Sequence, residues 1–206
     1  MTNGSRTLNL FFSKNNFIGS FNEVSNIPND HLPECCFLGR SNVGKSSIIN
    51  AVTKSKKLAK TSKTPGRTQS ANLFEINNKI NIIDLPGYGY AKISMSMRDQ
   101  LSYLIEDYII KRQNLIKIYV LVDCGIGIKD IDIDIFDIIV NSNKLFSIIL
   151  TKVDKCSKNF INEQKESLFS LMNNYPNNFN NIYISSNKQN IGITDIQKDI
   201  FNLSKN

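Results

Sequence analysis

With 206 residues and 41% hydrophobic content, the chain can bury a full core for one compact unit, which excludes a disordered segment. Its 25 basic and 18 acidic residues leave a net charge of +7, compatible with an RNA partner and equally with a solvated surface. No apolar run approaches the ~18 residues of a membrane span. Four cysteines lack C-x-x-C spacing, and the one histidine, His31, has no evident partner, so the thiols read as buried and reduced rather than metal-bound.

The start, MTNGSRTLNLFFSKNNF, is free of acids and carries Arg6 and Lys14, yet no clear cleavage site follows. The expectation is a cytoplasmic chain, one domain over residues 1–206, with 1–30 as an N-terminal extension and first strand. Glu34–Leu38 (ECCFL) reads as a buried strand ending at Gly39, and Ser46–Lys54 follows with helical spacing. Residues 55–70 are polar and interrupted by Pro65-Gly66, hence a loop. Lys54, Lys56, Lys57, Lys60, Lys63 and Arg67 make this region basic, with no acid among them, which suits contact with phosphates. Ala71–Ile76 and Lys79–Ile83 are strands across an Asn77-Asn78 turn. Met97–Ile110 reads as a helix, Leu115–Val122 and Leu145–Leu150 as strongly apolar strands. Asn159–Met172 reads as a helix, Asn181–Ile184 as a strand and Thr194–Leu203 as a closing amphipathic helix.

The stretch Ile128–Val140, IKDIDIDIFDIIV, alternates like a strand but also places isoleucines at helical spacing. Its three aspartates are poor strand residues, and two parallel strands need a crossover between them, so a helix is predicted. The order then defines a three-layer α/β/α fold with a mostly parallel sheet and one antiparallel hairpin strand. Ligands in such folds bind at the carboxyl ends of the strands, where every motif below falls.

Gly39-Arg-Ser-Asn-Val-Gly-Lys-Ser46 matches G-x-x-x-x-G-K-[ST] between a strand and a helix. Such a loop wraps phosphates with backbone N–H groups at a helix N-terminus. Lys45 would reach the β- and γ-phosphates and the Ser46 hydroxyl would ligate Mg2+; a side chain at Gly44 would keep phosphate oxygens from the backbone. Asp84-Leu-Pro-Gly87 ends the second hairpin strand; its carboxylate suits water-mediated Mg2+ binding and the Gly87 N–H a γ-phosphate. Thr151-Lys-Val-Asp154 ends a buried strand. A carboxylate at Asp154 matches the paired N–H donors of guanine, which adenine lacks, and Lys152 would lie along the base. The backbone N–H groups of Ile184-Ser185-Ser186 would meet guanine O6. In Thr64-Pro-Gly-Arg-Thr68, Thr68 is preferred over Thr64 for Mg2+ and γ-phosphate, because Pro65 restricts residue 64.

In the stretches LPECCFLGRSNVGKSSIINA, LAKTSKTPGRTQSANLFEI, IDLPGYGYA, YIIKRQNL and LTKVDK, from Leu32 to Lys155, the chain resembles the EngB (YihA or YsxC) family of ribosome-biogenesis GTPases, within the TrmE–Era–EngA–YihA group. Threonine at position 151, where GTPases in general carry asparagine, is the form this family uses. The resemblance implies GTP and GDP contacts at Gly39, Arg40, Ser41, Asn42, Val43, Gly44, Lys45 and Ser46, and at Gly66, Arg67, Thr68, Gln69 and Ser70. It extends them to Asp84, Leu85, Pro86 and Gly87, to Thr151, Lys152, Val153 and Asp154, and to Ile184, Ser185 and Ser186. Lys45, Thr68 and Gly87 take the catalytic part, with Mg2+ on Ser46 and Thr68. The implied partner is the large ribosomal subunit or its precursor, met through rRNA by a monomer with no membrane association.

Two other readings compete. A P-loop kinase for a small molecule would leave TKVD unexplained and needs a lid with arginines. A GTPase module for RNA modification or membrane work needs a further domain. Tyr88 stands where many switch enzymes carry a water-orienting glutamine, so slow intrinsic hydrolysis is expected. The missing group would come from a partner or, as in related GTPases, from potassium held near Asn42.

Overall fold

A computed structural model describes residues 3–55, 58–59, 69–90 and 93–205. Seven strands form one sheet: β1 (Asn15–Phe21), β2 (Glu34–Gly39), β3 (Ala71–Ile76), β4 (Ile80–Asp84), β5 (Leu115–Asp123), β6 (Leu145–Thr151) and β7 (Phe179–Ile184). Their spatial order is β1-β3-β4-β2-β5-β6-β7. β3 is antiparallel to both of its neighbours, and the remaining pairs are parallel, so β3 alone runs against the sheet.

Helices cover both faces: α1 (Asn3–Ser13), α2 (Lys45–Val52), α3 (Met95–Lys111), α4 (Asp130–Asn141), α5 (Lys158–Met172) and α6 (Ile193–Leu203). Alternation along the central strands separates two cores. Cys36 and Leu38 of β2 join Ile118, Val120 and Val122 of β5 beneath α3, α4 and α5. Cys35 and Phe37, with Tyr119 and Leu121, face α1, α2 and α6. Both faces of these strands are apolar because a parallel sheet is covered on both sides. The cysteines are free thiols, and burial pushes those of Cys35, Cys36 and Cys124 upward, away from reactive thiolate.

The ambiguous stretch 128–140 is a helix. Ile135, Phe136 and Ile139 bury one face, and Asp130 and Asp132 sit in the first turn, where carboxylates suit the helix dipole. Predicted boundaries hold within two residues for most elements; Ser94 and Ser157 cap α3 and α5 just before the predicted starts. The N-terminal extension contains its foreseen strand and also an unforeseen helix, α1. Leu8, Phe11 and Phe12 are buried there, and the Phe11 ring meets Phe201 of α6 edge-on, centroids 5.0 Å apart.

At the pole away from the carboxyl strand ends, Glu34 opens β2 fully buried. Arg112, just after α3, forks onto it with Nη2 at 2.6 Å and Nε at 2.8 Å, and the Tyr108 hydroxyl donates at 2.9 Å. The same guanidinium donates to the carbonyls of Ile27 and Pro28, fixing the segment before β2. Removing one partner of a buried pair strands the other charge. Arg112→Ala is therefore expected to cost about 3–5 kcal/mol in a denaturant unfolding titration, with Arg112→Lys in between because it keeps the charge but loses the fork.

Candidate functional site

The site is built on the carboxyl ends of β2, β4, β6 and β7. β2 ends at Gly39, the loop 40–44 follows, and α2 begins at Lys45. Gly44 caps the helix with a left-handed φ of 108°, and a Cβ there would meet no protein atom within 4 Å. The backbone angle therefore requires glycine, and the open side leaves the first-turn N–H groups of α2 accessible to an anion.

Lys45 lies over this loop almost fully buried and its Nζ pairs with Oδ1 of Asp84, the last residue of β4. Two residues of different predicted motifs are thus joined by a buried ion pair. Beyond Asp84, Leu85 donates its N–H to the Phe37 carbonyl (3.3 Å), and Pro86 is buried beside it. Gly87 packs directly on the phosphate loop. A Cβ there would stand 3.2 Å from the Ser41 nitrogen, 3.3 Å from the Gly39 oxygen and 3.1 Å from the Tyr90 hydroxyl. A side chain there would need these neighbours to give by a few tenths of an ångström, so glycine suits so close an approach.

Tyr88 is buried, not poised in solvent. Its backbone bridges the phosphate loop: Ser41 N–H donates to its carbonyl (3.0 Å), and its own N–H donates to the Gly39 carbonyl (3.3 Å). Its hydroxyl donates to Oδ1 of Asp132 at 2.8 Å. Burial, and then the Asp132 carboxylate, push this hydroxyl well above the ordinary tyrosine range, so it remains a donor. Asp132 was missed from the sequence, where it counted only as one of three aspartates that disfavour a strand.

The loop after β6 docks on the same phosphate loop. The Thr151 hydroxyl donates to the Val43 carbonyl at 2.8 Å. Lys152, in a left-handed conformation (φ 58°), donates to the Asn42 carbonyl at 2.7 Å and pairs with Asp123 at 2.8 Å. Val153 is buried, its N–H on the Ser185 carbonyl. Asp154 projects partly exposed, its Oδ1 accepting the Ser186 hydroxyl at 2.6 Å.

Residues 184–186 stand beside Asp154, with one correction. The N–H groups of Ser185 and Ser186 already donate to the Leu150 (2.7 Å) and Ile191 (3.2 Å) carbonyls, which fix the β7 exit. Ser186 contributes its hydroxyl instead, a role that strand-end position alone did not reveal. Ser46 sits half-buried in the first turn of α2. Gln69 is exposed and Ser70 half-buried at the entry to β3. Thr64, Gly66, Arg67 and Thr68 lie outside the described residues.

A phosphate-type loop between a parallel strand and a helix, an Asp-x-x-Gly segment packed on it, and a strand-end Thr-Lys-x-Asp define a P-loop GTPase. Residues 34–152 match the model of a family described as "50S ribosome-binding GTPase". The chain is 40% identical over 195 residues to a probable GTP-binding protein EngB of Flavobacterium johnsoniae, covering 90% of this chain and 92% of that one. With the EngB of Rickettsia akari it shares 41% identity over 179 residues, 86% of this chain and 82% of that one. The chain belongs to the EngB family of GTP-binding proteins. A crystal structure of a probable EngB superposes with TM-score 0.63 at 23% identity, over 84% of this chain and 98% of that one. Era in complex with MgGDPNP and a 16S ribosomal RNA segment superposes with TM-score 0.66 at 20% identity, over 84% of this chain and 56% of that one. Among the described residues, no helix is long and apolar enough to cross a membrane.

The Ser186 hydroxyl holds the Asp154 carboxylate below the usual aspartate range, helped by its own N–H and by Lys188 and Lys155 nearby. A depressed folded-state value keeps the carboxylate charged through the ordinary aspartate range, and the charge is lost only as pH falls through the lowered value. Ser186→Ala is expected to move the Asp154 midpoint upward, toward an ordinary aspartate, in a carboxyl-resolved NMR titration.

Proposed function

We propose that this GTPase acts as a nucleotide-controlled switch in assembly of the large ribosomal subunit, hydrolysing GTP slowly to GDP and phosphate. The observation that carries the reading is the anchoring of Asp154. Its loop hangs on the phosphate loop through Thr151 and Lys152, and Ser186 orients its carboxylate. Base and phosphate recognition are therefore parts of one hydrogen-bonded unit, as a guanine-selective site requires. The carboxylate accepts the two guanine N–H donors; adenine would leave it unpaired.

Gly39 to Ser46 wrap the phosphates, with Lys45 leaving Asp84 to reach the β- and γ-oxygens. The Ser46 hydroxyl, phosphate oxygens and a water held by the Asp84 carboxylate would give Mg2+ the all-oxygen donor set it takes. Thr68 completes it in this reading. Bound there, Mg2+ would neutralise charge on the phosphate oxygens. Gly87, close-packed on Ser41, offers its N–H toward the terminal phosphate. Tyr88 has its hydroxyl committed to Asp132 and carries no amide, which supports a low intrinsic rate. A ribosomal partner, or potassium near the exposed Asn42, supplies the missing stabilisation.

The ribosomal part of the reading is supported by the description of the matched family and by the positive charge of the chain. rRNA is the proposed contact, in keeping with the RNA-bound state of the structurally similar Era.

Asp154→Asn should lower GTP and GDP affinity at least ~10-fold, and ATP should fail to displace labelled GDP from the unaltered protein; equal displacement by ATP and GTP overturns the guanine reading. Co-sedimentation with large subunits is expected to be strongest with a GTP analogue, and equal binding with analogue, GDP or no nucleotide overturns the switch. If potassium acts at Asn42, Asn42→Ala abolishes potassium stimulation of turnover; stimulation surviving the substitution removes that role.

A further inference from the structure

Asp132 lies outside every motif that marks the nucleotide site, yet its carboxylate joins three parts of the molecule. It is fully buried in the first turn of α4. Oδ1 accepts the Tyr88 hydroxyl (2.8 Å) and Oδ2 accepts the Lys129 N–H (2.9 Å), while the Asp132 N–H donates to the Lys129 carbonyl (2.8 Å). Nε of Arg40 stands 3.2 Å from Oδ2 at ion-pair distance, and Nη2 of Arg40 donates to the Gly127 carbonyl before α4.

One carboxylate therefore holds the phosphate loop through Arg40, the residue after Gly87 through Tyr88, and the entry to α4 through Lys129. Burying that charge is costly, and packing alone would be served by an apolar side chain. The bond constrains movement: Tyr88 cannot leave without stripping a hydrogen bond from a buried charge. Tyr88 is also tied to Ser41 and Gly39 by its backbone, so its position fixes Gly87 against the loop.

We infer that Asp132 is a positioning residue, which through Tyr88 sets Gly87 for contact with the terminal phosphate and couples that contact to α4. The inference rests on the reading of residues 84–87 as the phosphate-sensing segment. It gives α4 a part in the switch that no nucleotide contact assigns to it, because its first turn is the far end of the Tyr88 bond.

Affinities for GDP and a non-hydrolysable GTP analogue are compared in the unaltered chain, Tyr88→Phe, Asp132→Asn, the double variant and Gly87→Ala, with thermal unfolding of each. Tyr88→Phe keeps the ring and loses only the donor, so it carries the test even if Asp132→Asn fails to fold. It is expected to hold GDP affinity within about twofold and lose at least about fivefold in analogue affinity. The effects of Tyr88→Phe and Asp132→Asn on the analogue-to-GDP ratio should be non-additive. Hydrogen exchange across residues 130–141 should differ between the two nucleotides in the unaltered chain and not in Tyr88→Phe. Equal weakening of both nucleotides with a lowered melting temperature would show a structural bond only and overturn the inference, as would an unchanged ratio with unchanged exchange. If Gly87→Ala lowers analogue affinity and Tyr88→Phe does not, the assignment of Asp132 falls while the reading of 84–87 stands. If Gly87→Ala changes neither affinity, that reading fails, and the inference with it.

Discussion

The phosphate loop has no core of its own. Its working groups are backbone N–H donors that must point toward an anion and so cannot be spent on regular structure. Its shape is imposed by two other strand ends, those of β4 and β6. The Tyr88 backbone grips Gly39 and Ser41, the Thr151 hydroxyl grips Val43, and Lys152 grips Asn42. Each grip comes from the carboxyl end of a strand beside or near β2 in the sheet. The parallel order is thus a requirement of the site: it delivers these ends to one edge, where backbone and side-chain groups reach a shared loop.

Threonine at position 151 follows from that constraint. Its role in the fold is to donate one hydrogen bond to a carbonyl 2.8 Å away, and a hydroxyl on a short, β-branched side chain does this from a buried strand end. Lys152 shows a similar economy. Its single ammonium bonds the Asn42 carbonyl and the Asp123 carboxylate, so one charge braces both the phosphate loop and the exit of β5.

What was legible in the sequence was whatever depends on local pattern. Strand β2 followed by Gly39 to Ser46 declared itself through apolar run, glycines and helix spacing, and the aspartates of 130–134 excluded a strand. The N-terminal helix was equally written in Leu8, Phe11 and Phe12, a spacing masked by the acid-free composition of the segment. Less legible were bonds between residues far apart. Tyr88 and Asp132 are separated by 44 positions, and no spacing rule joins a tyrosine after a glycine to the second of several helix aspartates. For the same reason Ser186 was found as a strand end, whereas its hydroxyl bond to Asp154 depended on how two loops fold together.

The buried network at the opposite pole bears on how α3 can move. Arg112 pins its C-terminal end to Glu34 and to the segment before β2, while at the other end Ser94 caps the helix and Met95 is 78% exposed. Leu101, Leu104, Ile105, Tyr108 and Ile109 seat the 17-residue helix on the core from its second turn to the Arg112 anchor. Residues 95–100, by contrast, bury none of their side chains, so the first turn is the part of α3 least tied to the core. In sequence that turn follows the segment that carries Gly87 and Tyr88, and a displacement there dies away toward the anchored end of α3. The Glu34–Arg112 pair, at the pole away from the carboxyl strand ends, thereby marks the fixed end of α3.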